Sequence, residues 1–462
     1  MKRFAGDCSN SGRPHSNRFS TRTTTVLLGV SLIFGGAGRL HAAPQDSDEM
    51  NANRTVLFIG DSNTEYGFIT GALKDILADE FGDFGTGYYP FSIYATVGSG
   101  RVWGWQGDME GLKLSIDTVQ WNLADAIGLV YEGKYNVTRK DAPTWSPSTH
   151  WIESREDGAS MSAEFTGSGF DLYWTAAENG GTFEILVDDE VVQSVNTQGM
   201  PKTKRTSITN LDPSQKHTAV MRQTSGKVIL QGMDVMRPVD GESKRAVVHT
   251  WANSGAAAID FVNIHEEVFS SALQLINPAC IVILLGTNDA IEEVSESDFQ
   301  ENMITITERI NAALPTPRIL IASCINIKFD AWDTYGGQYL ETSYPTIAQE
   351  VNAEYWNLHD WFGPYQENEN DGFMKDKAHV NDKGGEKIAP QLWLELQNRF
   401  GIIGVRPGSQ VSGSVITALR THSFISGLSG EKSPARTLDL LGRKRGSGHI
   451  PSISIIQTNS QD

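Results

Sequence analysis

Thr55-Val56-Leu57-Phe58-Ile59-Gly60, followed at once by Asp61-Ser62-Asn63, is an apolar run that ends in a turn and a polar string. A run with no polar alternation, closed by Gly, suits a strand buried on both faces, as in a parallel sheet. Downstream, Ile69, Leu73, Ile76, Leu77 and Phe81 recur at three- and four-residue steps, the period of a helix with one apolar face. A buried strand followed by such a helix is the start of a βα unit.

The alternation resumes far along the chain. Ala246–Thr250 reads as a strand and Ala257–Ile276 as a helix. Ile281–Leu285 is a strand, Ser295–Leu314 a helix with Ser295 and Ser297 as candidate caps, and Ile319–Ile325 a strand. Leu340–Ala353 reads as a helix and Glu354–Leu358 as a short strand. A last helix ends near Phe400, and Pro390 is expected to start or kink it. Repeated βα units imply a parallel sheet covered on both faces, an α/β fold.

Between about residues 142 and 238 the rhythm changes. Ser160–Phe165, Phe170–Trp174, Thr182–Val187, Glu190–Val195, His217–Arg222 and Val228–Met233 are short alternating runs separated by Gly, Asn-Gly-Gly and Asp-Asp turns. This is the pattern of an antiparallel sandwich, with Asp188-Asp189 as a hairpin turn. The expected organisation is an α/β domain formed by 44–141 and 239–404, interrupted by an all-β insert at 142–238. Residues 86–141 are expected to bridge the two.

Three strings carry chemistry: Gly60-Asp61-Ser62-Asn63, Gly286-Thr287-Asn288-Asp289 and Asp376-Lys377-Ala378-His379. Together they supply a serine nucleophile, an amide donor for an oxyanion, and a base with an orienting carboxylate. The three-residue spacing of Asp376 and His379 lets the carboxylate reach Nδ1 and leaves Nε2 for a serine. Read alone, Ser62 is a helix cap, Asn288 an Asx turn and Gly255 an ordinary turn glycine. Two rival pairs, His359-Asp360 and His265-Glu266, are set aside because adjacent side chains tend to point apart. His249 falls in a buried strand and reads as a core histidine.

With Asn253-Ser254-Gly255, the strings in this order resemble the SGNH (GDSL-type) hydrolase family over roughly 55–100 and 245–400. The resemblance implies a flavodoxin-like three-layer α/β/α fold and a Ser62–His379–Asp376 triad. It also implies an oxyanion hole from the N–H groups of Ser62 and Gly255 and the Asn288 amide, with no cofactor and no metal. The insert resembles the jelly-roll, carbohydrate-binding-like domains attached to some of these esterases. A carbohydrate deacetylase is therefore the expected function. The alternatives are a carbohydrate O-acyltransferase, a lipase or phospholipase, and a catalytically silent glycan-binding protein. Trp103 and Trp105, in a Gly-rich loop, are candidate sugar-stacking residues, whereas Trp332 and Trp361 read better as core.

Composition narrows the partners. The chain has 462 residues, 39% of them hydrophobic, and a net charge of −18. Residues 1–43 hold six Lys/Arg and one acid, and 405–462 hold seven and three, so the body between is more acidic than the whole. Such a body repels nucleic acid and anionic lipid headgroups. Residues 1–43, with basic side chains, the apolar stretch Thr25–Gly38 and then Ala42-Ala43-Pro44, have the pattern of a secretory signal. An exported protein is expected, with an uncleaved anchor as the alternative and no other membrane insertion. The Ser-, Gly- and Arg-rich tail, 405–462, reads as a largely disordered low-complexity segment; alternatively, Thr437–Arg445 and Ile453–Ile456 faintly resemble the C-terminal sorting domains of some secreted bacterial proteins. Cys280 and Cys324 lie in neighbouring strand-like runs offset by about four residues, roughly 13 Å at ~3.3 Å per residue. That is too far for a disulfide, so free thiols are expected.

Overall fold

The computed structural model describes residues 54–91, 112–116, 122–123, 151–239 and 245–401. The leader, the Trp103/Trp105 loop and the tail lie outside these residues. Among the described residues no helix is long and apolar enough to cross a membrane.

Val56–Gly60 is fully buried and is an interior strand of a five-stranded parallel sheet. Across the sheet the strands run Val248–Ala252, Val56–Gly60, Cys280–Leu284, Ile319–Ala322 and Glu354–Trp356. Counted in chain order this is 2-1-3-4-5, the flavodoxin-like arrangement, in which the crevice opens beyond the carboxyl ends of strands 1 and 3. Gly60 pairs with both Ala252 and Leu284, so three strands end at one level. The turns that follow those strands carry Ser62, Gly255 and Asn288.

The helix Phe68–Phe81 buries Ile69, Leu73, Leu77 and Phe81 of the face read from the sequence, adds Phe68, and leaves Ile76 only half-buried. It packs against the final helix, where Phe81 and Trp393 meet edge to face at 6.4 Å and Trp393 Nε1 donates to Glu80 at 3.0 Å. That final helix spans Asp382–Phe400 and is capped by Asn381, so it begins eight residues before Pro390 rather than at it. Pro390 and Glu386, whose carbonyl loses its donor, are both exposed, so water can satisfy the freed oxygen.

Three other elements depart from the reading. Ala257–Ile276 is two helices, Ala258–Val262 and Glu266–Ile276, because the His265 ring caps the second by accepting from Glu267 N at 3.2 Å. Before the helix Tyr344–Glu350, the chain winds through two wide turns, Trp332–Gly336 and Tyr339–Ser343, of the i→i+5 type. Lys202–Thr209, a strand not anticipated, has only Thr203 fully buried and shows no apolar period. Cys280 and Cys324 are buried free thiols, both pushed up to about 12 by burial.

The β region consists of two antiparallel sheets. One is ordered Lys202–Thr209, Gly169–Ala176, Val228–Met236, Ile152–Ser154, Asn122–Leu123, with Tyr89–Pro90 also paired to Val228–Met236. The other is ordered Leu112–Ile116, Ser160–Thr166, Lys216–Ser225, Thr182–Val187, Glu190–Asn196. In Ser160–Thr166, Met161, Ala163 and Phe165 alternate inward onto Phe170, Leu172 and Phe183. Asp188 and Asp189, with φ of 51° and 71°, make the hairpin turn. Trp151, Tyr173 and Ile229 of this region are buried in the core of the α/β domain, where Tyr173 meets Tyr88 edge-on at 5.0 Å. On the edge strand, Thr203 N donates to Ser271 at 2.8 Å and Thr203 Oγ1 to Val268 O at 2.8 Å.

Candidate active site

Gly60 closes the strand Val56–Gly60 because a Cβ there would overlap the Thr64 side chain. The next residue, Asp61, caps the short helix Ser62–Glu65 and accepts Asn63 N at 2.9 Å. The cap is therefore Asp61, and the Ser62 hydroxyl is left for another partner. That partner is His379, whose Nε2 lies 2.8 Å from Ser62 Oγ. On the far side of the ring, Nδ1 lies 2.8 Å from both oxygens of Asp376.

The Asp376–His379 turn is built around the carboxylate. Asp376 Oδ1 accepts from Ala378 N at 2.9 Å and from His379 N at 3.0 Å. Burial alone raises the Asp376 carboxyl, but the Ala378 N–H, the His379 ring and the His379 N–H together hold it below its ordinary value. Asp376 is thus an anion positioned to stabilise an imidazolium. Tyr66 meets the His379 ring edge-on at 4.7 Å, and Lys375 Nζ lies 4.0 Å from the Tyr66 ring centre.

Gly255 has φ +77°, a conformation that glycine adopts without strain, and it follows the strand Val248–Ala252. Its segment is pinned to the turn after Cys280–Leu284. Asn288 Nδ2 donates to Ala256 O at 2.9 Å, which leaves its second amide hydrogen for a ligand. Asp289 is fully buried and receives Ala258 N on both oxygens. It orders the turn.

The site floor is rich in buried carboxyls. Burial pushes Asp61 up to about 6, against the Asn63 N–H and a Thr287 hydroxyl bond. It pushes Glu65 to about 7, against hydrogen bonds from Ser254, and Asp289 to about 8, against the Ala258 N–H. Glu65 therefore links the helix Ser62–Glu65 to Ser254, the residue before Gly255.

The remaining candidates fall elsewhere. His249 is buried, accepts Tyr88 N at 2.7 Å, and is driven down to about 4 by desolvation, as a core histidine should be. His359 Nδ1 does contact Asp360 at 2.9 Å, so the expectation that adjacent side chains diverge fails in this tight helical turn. His265 contacts Glu267 rather than Glu266. Trp332 is buried core, as read, whereas Trp361 is exposed, against the core reading, and packs on Trp356 at 5.7 Å. Sequence reasoning missed Asn63, Glu65 and Tyr66. All three lie within four residues of Ser62, and the only signal was that proximity.

Residues 237–387 match the model of the GDSL-like lipase/acylhydrolase family. The match spans Gly255, Asn288, Asp376 and His379, while Ser62 lies upstream, across the β region. No curated protein matches the chain. Among solved structures it is similar to a protein described as "Peptidoglycan O-acetylesterase in action, 5 min", at 18% identity and a TM-score of 0.52, covering 76% of this chain and 92% of that one. It is also similar to a family two carbohydrate esterase from Clostridium thermocellum in complex with cellohexaose, at 13% identity and a TM-score of 0.29, covering 55% and 96%. A third is an acetyl xylan esterase (Est2A) from the rumen bacterium Butyrivibrio proteoclasticus, at 10% identity and a TM-score of 0.26, covering 63% and 100%. The first likeness is one of fold, and the other two are too slight to build on.

Proposed function

Because this chain is an esterase of the GDSL-like lipase/acylhydrolase (SGNH) family, we propose that it hydrolyses acetyl esters on a carbohydrate, with Ser62 as nucleophile. Ser62 Oγ attacks the ester carbonyl as its proton passes to His379 Nε2, and the new C–O bond gives a tetrahedral oxyanion. The N–H groups of Ser62 and Gly255 and the Asn288 amide receive that charge. His379 then protonates the departing sugar oxygen, leaving acetyl-Ser62. Water, deprotonated by His379, attacks in turn, and acetate leaves as Ser62 recovers its proton.

One observation carries this reading: Asp376, His379 and Ser62 form a continuous chain of 2.8 Å contacts. The carbohydrate part is supported by the antiparallel β region packed onto the α/β domain, and the fold shared with the peptidoglycan O-acetylesterase agrees with it. Export is part of the proposal on the strength of the basic-then-apolar residues 1–43. The test is acetate release from a panel of O-acetylated polysaccharides by wild type and Ser62→Ala. Release from at least one polymer, abolished in Ser62→Ala, is expected. A wild type active on aryl acetates and inert on every polymer would overturn the carbohydrate assignment.

A further inference from the structure

The residue after the nucleophile makes a second contact between the two halves of the site. Asn63 Nδ2 donates to Ala378 O at 3.1 Å, and Asn63 Oδ1 accepts from Val380 N at 3.4 Å. These two partners flank His379. The strings therefore meet in register: Ser62 faces the ring of His379, and Asn63 holds the peptide on either side of it. Asn63 and Val380 are buried, so the amide is shielded from competing water. The two bonds need a donor and an acceptor on one short side chain, which Asn provides.

The other bonds of the base's turn do different work. Asp376 accepts the Ala378 and His379 N–H groups, and Lys375 N donates to His379 O at 2.8 Å. These bonds set the shape of the turn without tying it to Ser62. Lys328 N donates to Lys377 O at 2.8 Å, from the segment after Ile319–Ala322 and not from the nucleophile helix.

We infer that Asn63 is a positioning residue that fixes the distance between Ser62 and His379 by gripping both peptide groups beside the base. This rests on the reading of Ser62 and His379 as nucleophile and base. A lateral error of about 1 Å between reacting groups can cost on the order of 100-fold in rate. Loss of the grip thus reduces the chemical step and leaves ester binding intact.

The experiment measures kcat and KM on a short-chain aryl acetate, the rate constant of fluorophosphonate labelling, and thermal melting. The variants are Asn63→Leu and Asn63→Asp, with Ser62→Ala and His379→Ala as references. Asn63→Leu should lower kcat by roughly 10- to 100-fold with KM within about twofold, and slow labelling by the same factor. Asn63→Asp keeps an acceptor for Val380 N and should fall between Leu and wild type, a partial rescue that a purely structural role would not produce. A folded Asn63→Leu protein with kcat and labelling near wild type overturns the inference, as does a change confined to KM. If Asn63→Leu does not fold, Asn63→Asp decides, and wild-type kcat and labelling in that variant overturn it equally. Loss of activity in Ser62→Ala and His379→Ala beside unaffected Asn63 variants defeats this inference alone. Retained activity in those two references defeats the triad reading and this one with it.

Discussion

Asp289 receives the backbone N–H of Ala258 on both carboxyl oxygens, each at 3.1 Å. The turn that presents Asn288 is thereby clamped to the segment that presents Gly255, through a side chain that takes no part in the proposed chemistry.

Burial lifts the Asp289 carboxyl from an ordinary value near 3.9 in the unfolded chain to about 8. Between those values the folded protein holds a proton that the unfolded chain has lost, so stability falls as pH rises. The contribution is complete below about pH 4 and is lost as pH passes about 8, at most about 1.4 kcal/mol per pH unit for this group. Glu65, at about 7, acts in the same direction. Buried His249, driven down from 6.5 to about 4, acts in the opposite direction, but only between about pH 4 and 6.5. Urea midpoints between pH 6.5 and 8 should therefore decline. Asp289→Asn, neutral throughout and still able to accept from Ala258, should decline less steeply; an identical slope in the two proteins contradicts the assignment.

Asn288 keeps one amide hydrogen on Ala256 O and has a second to offer. Asn288→Ala should lower kcat on an aryl acetate by about 100- to 1000-fold, or about 2.7–4 kcal/mol of barrier, with little change in KM. Steady-state kinetics on the folded variant checks this. A loss below about threefold would remove Asn288 from the oxyanion hole.

His379→Ala should lower turnover more than Asp376→Asn, since His379 moves the proton and Asp376 orients and stabilises it. Both proteins should keep the wild-type circular dichroism spectrum. Full turnover in His379→Ala would point to another base, and His359, already paired with Asp360, is the first to test.

The parallel sheet and the meeting of Ser62, His379 and Asp376 were legible in the sequence because each depends on a contiguous string. Val56–Gly60 has no polar side chain to place on a wet face, and Asp376 reaches His379 within a single turn. Lys202–Thr209 was illegible for the opposite reason: its side chains are polar, and its one buried anchor, Thr203, finds Ser271 and Val268 far along the chain. Asn63 was missed likewise, since its partners Ala378 and Val380 become neighbours only in the folded molecule. The break between Ala258–Val262 and Glu266–Ile276 turns on a histidine ring acting as a cap, which apolar periodicity does not register. Trp103 and Trp105 lie outside the described residues, so the sugar-stacking reading of that loop stays a proposal.

The central claim is that Ser62 is the nucleophile, and covalent labelling tests it most directly. The full chain is treated with a fluorophosphonate, activity on an aryl acetate is followed, and the adduct is mapped by peptide mass spectrometry. One phosphonyl group should attach at Ser62 in step with loss of activity, and Ser62→Ala should neither label nor turn over. An adduct on another residue, or a Ser62→Ala protein with near wild-type turnover, would contradict the account.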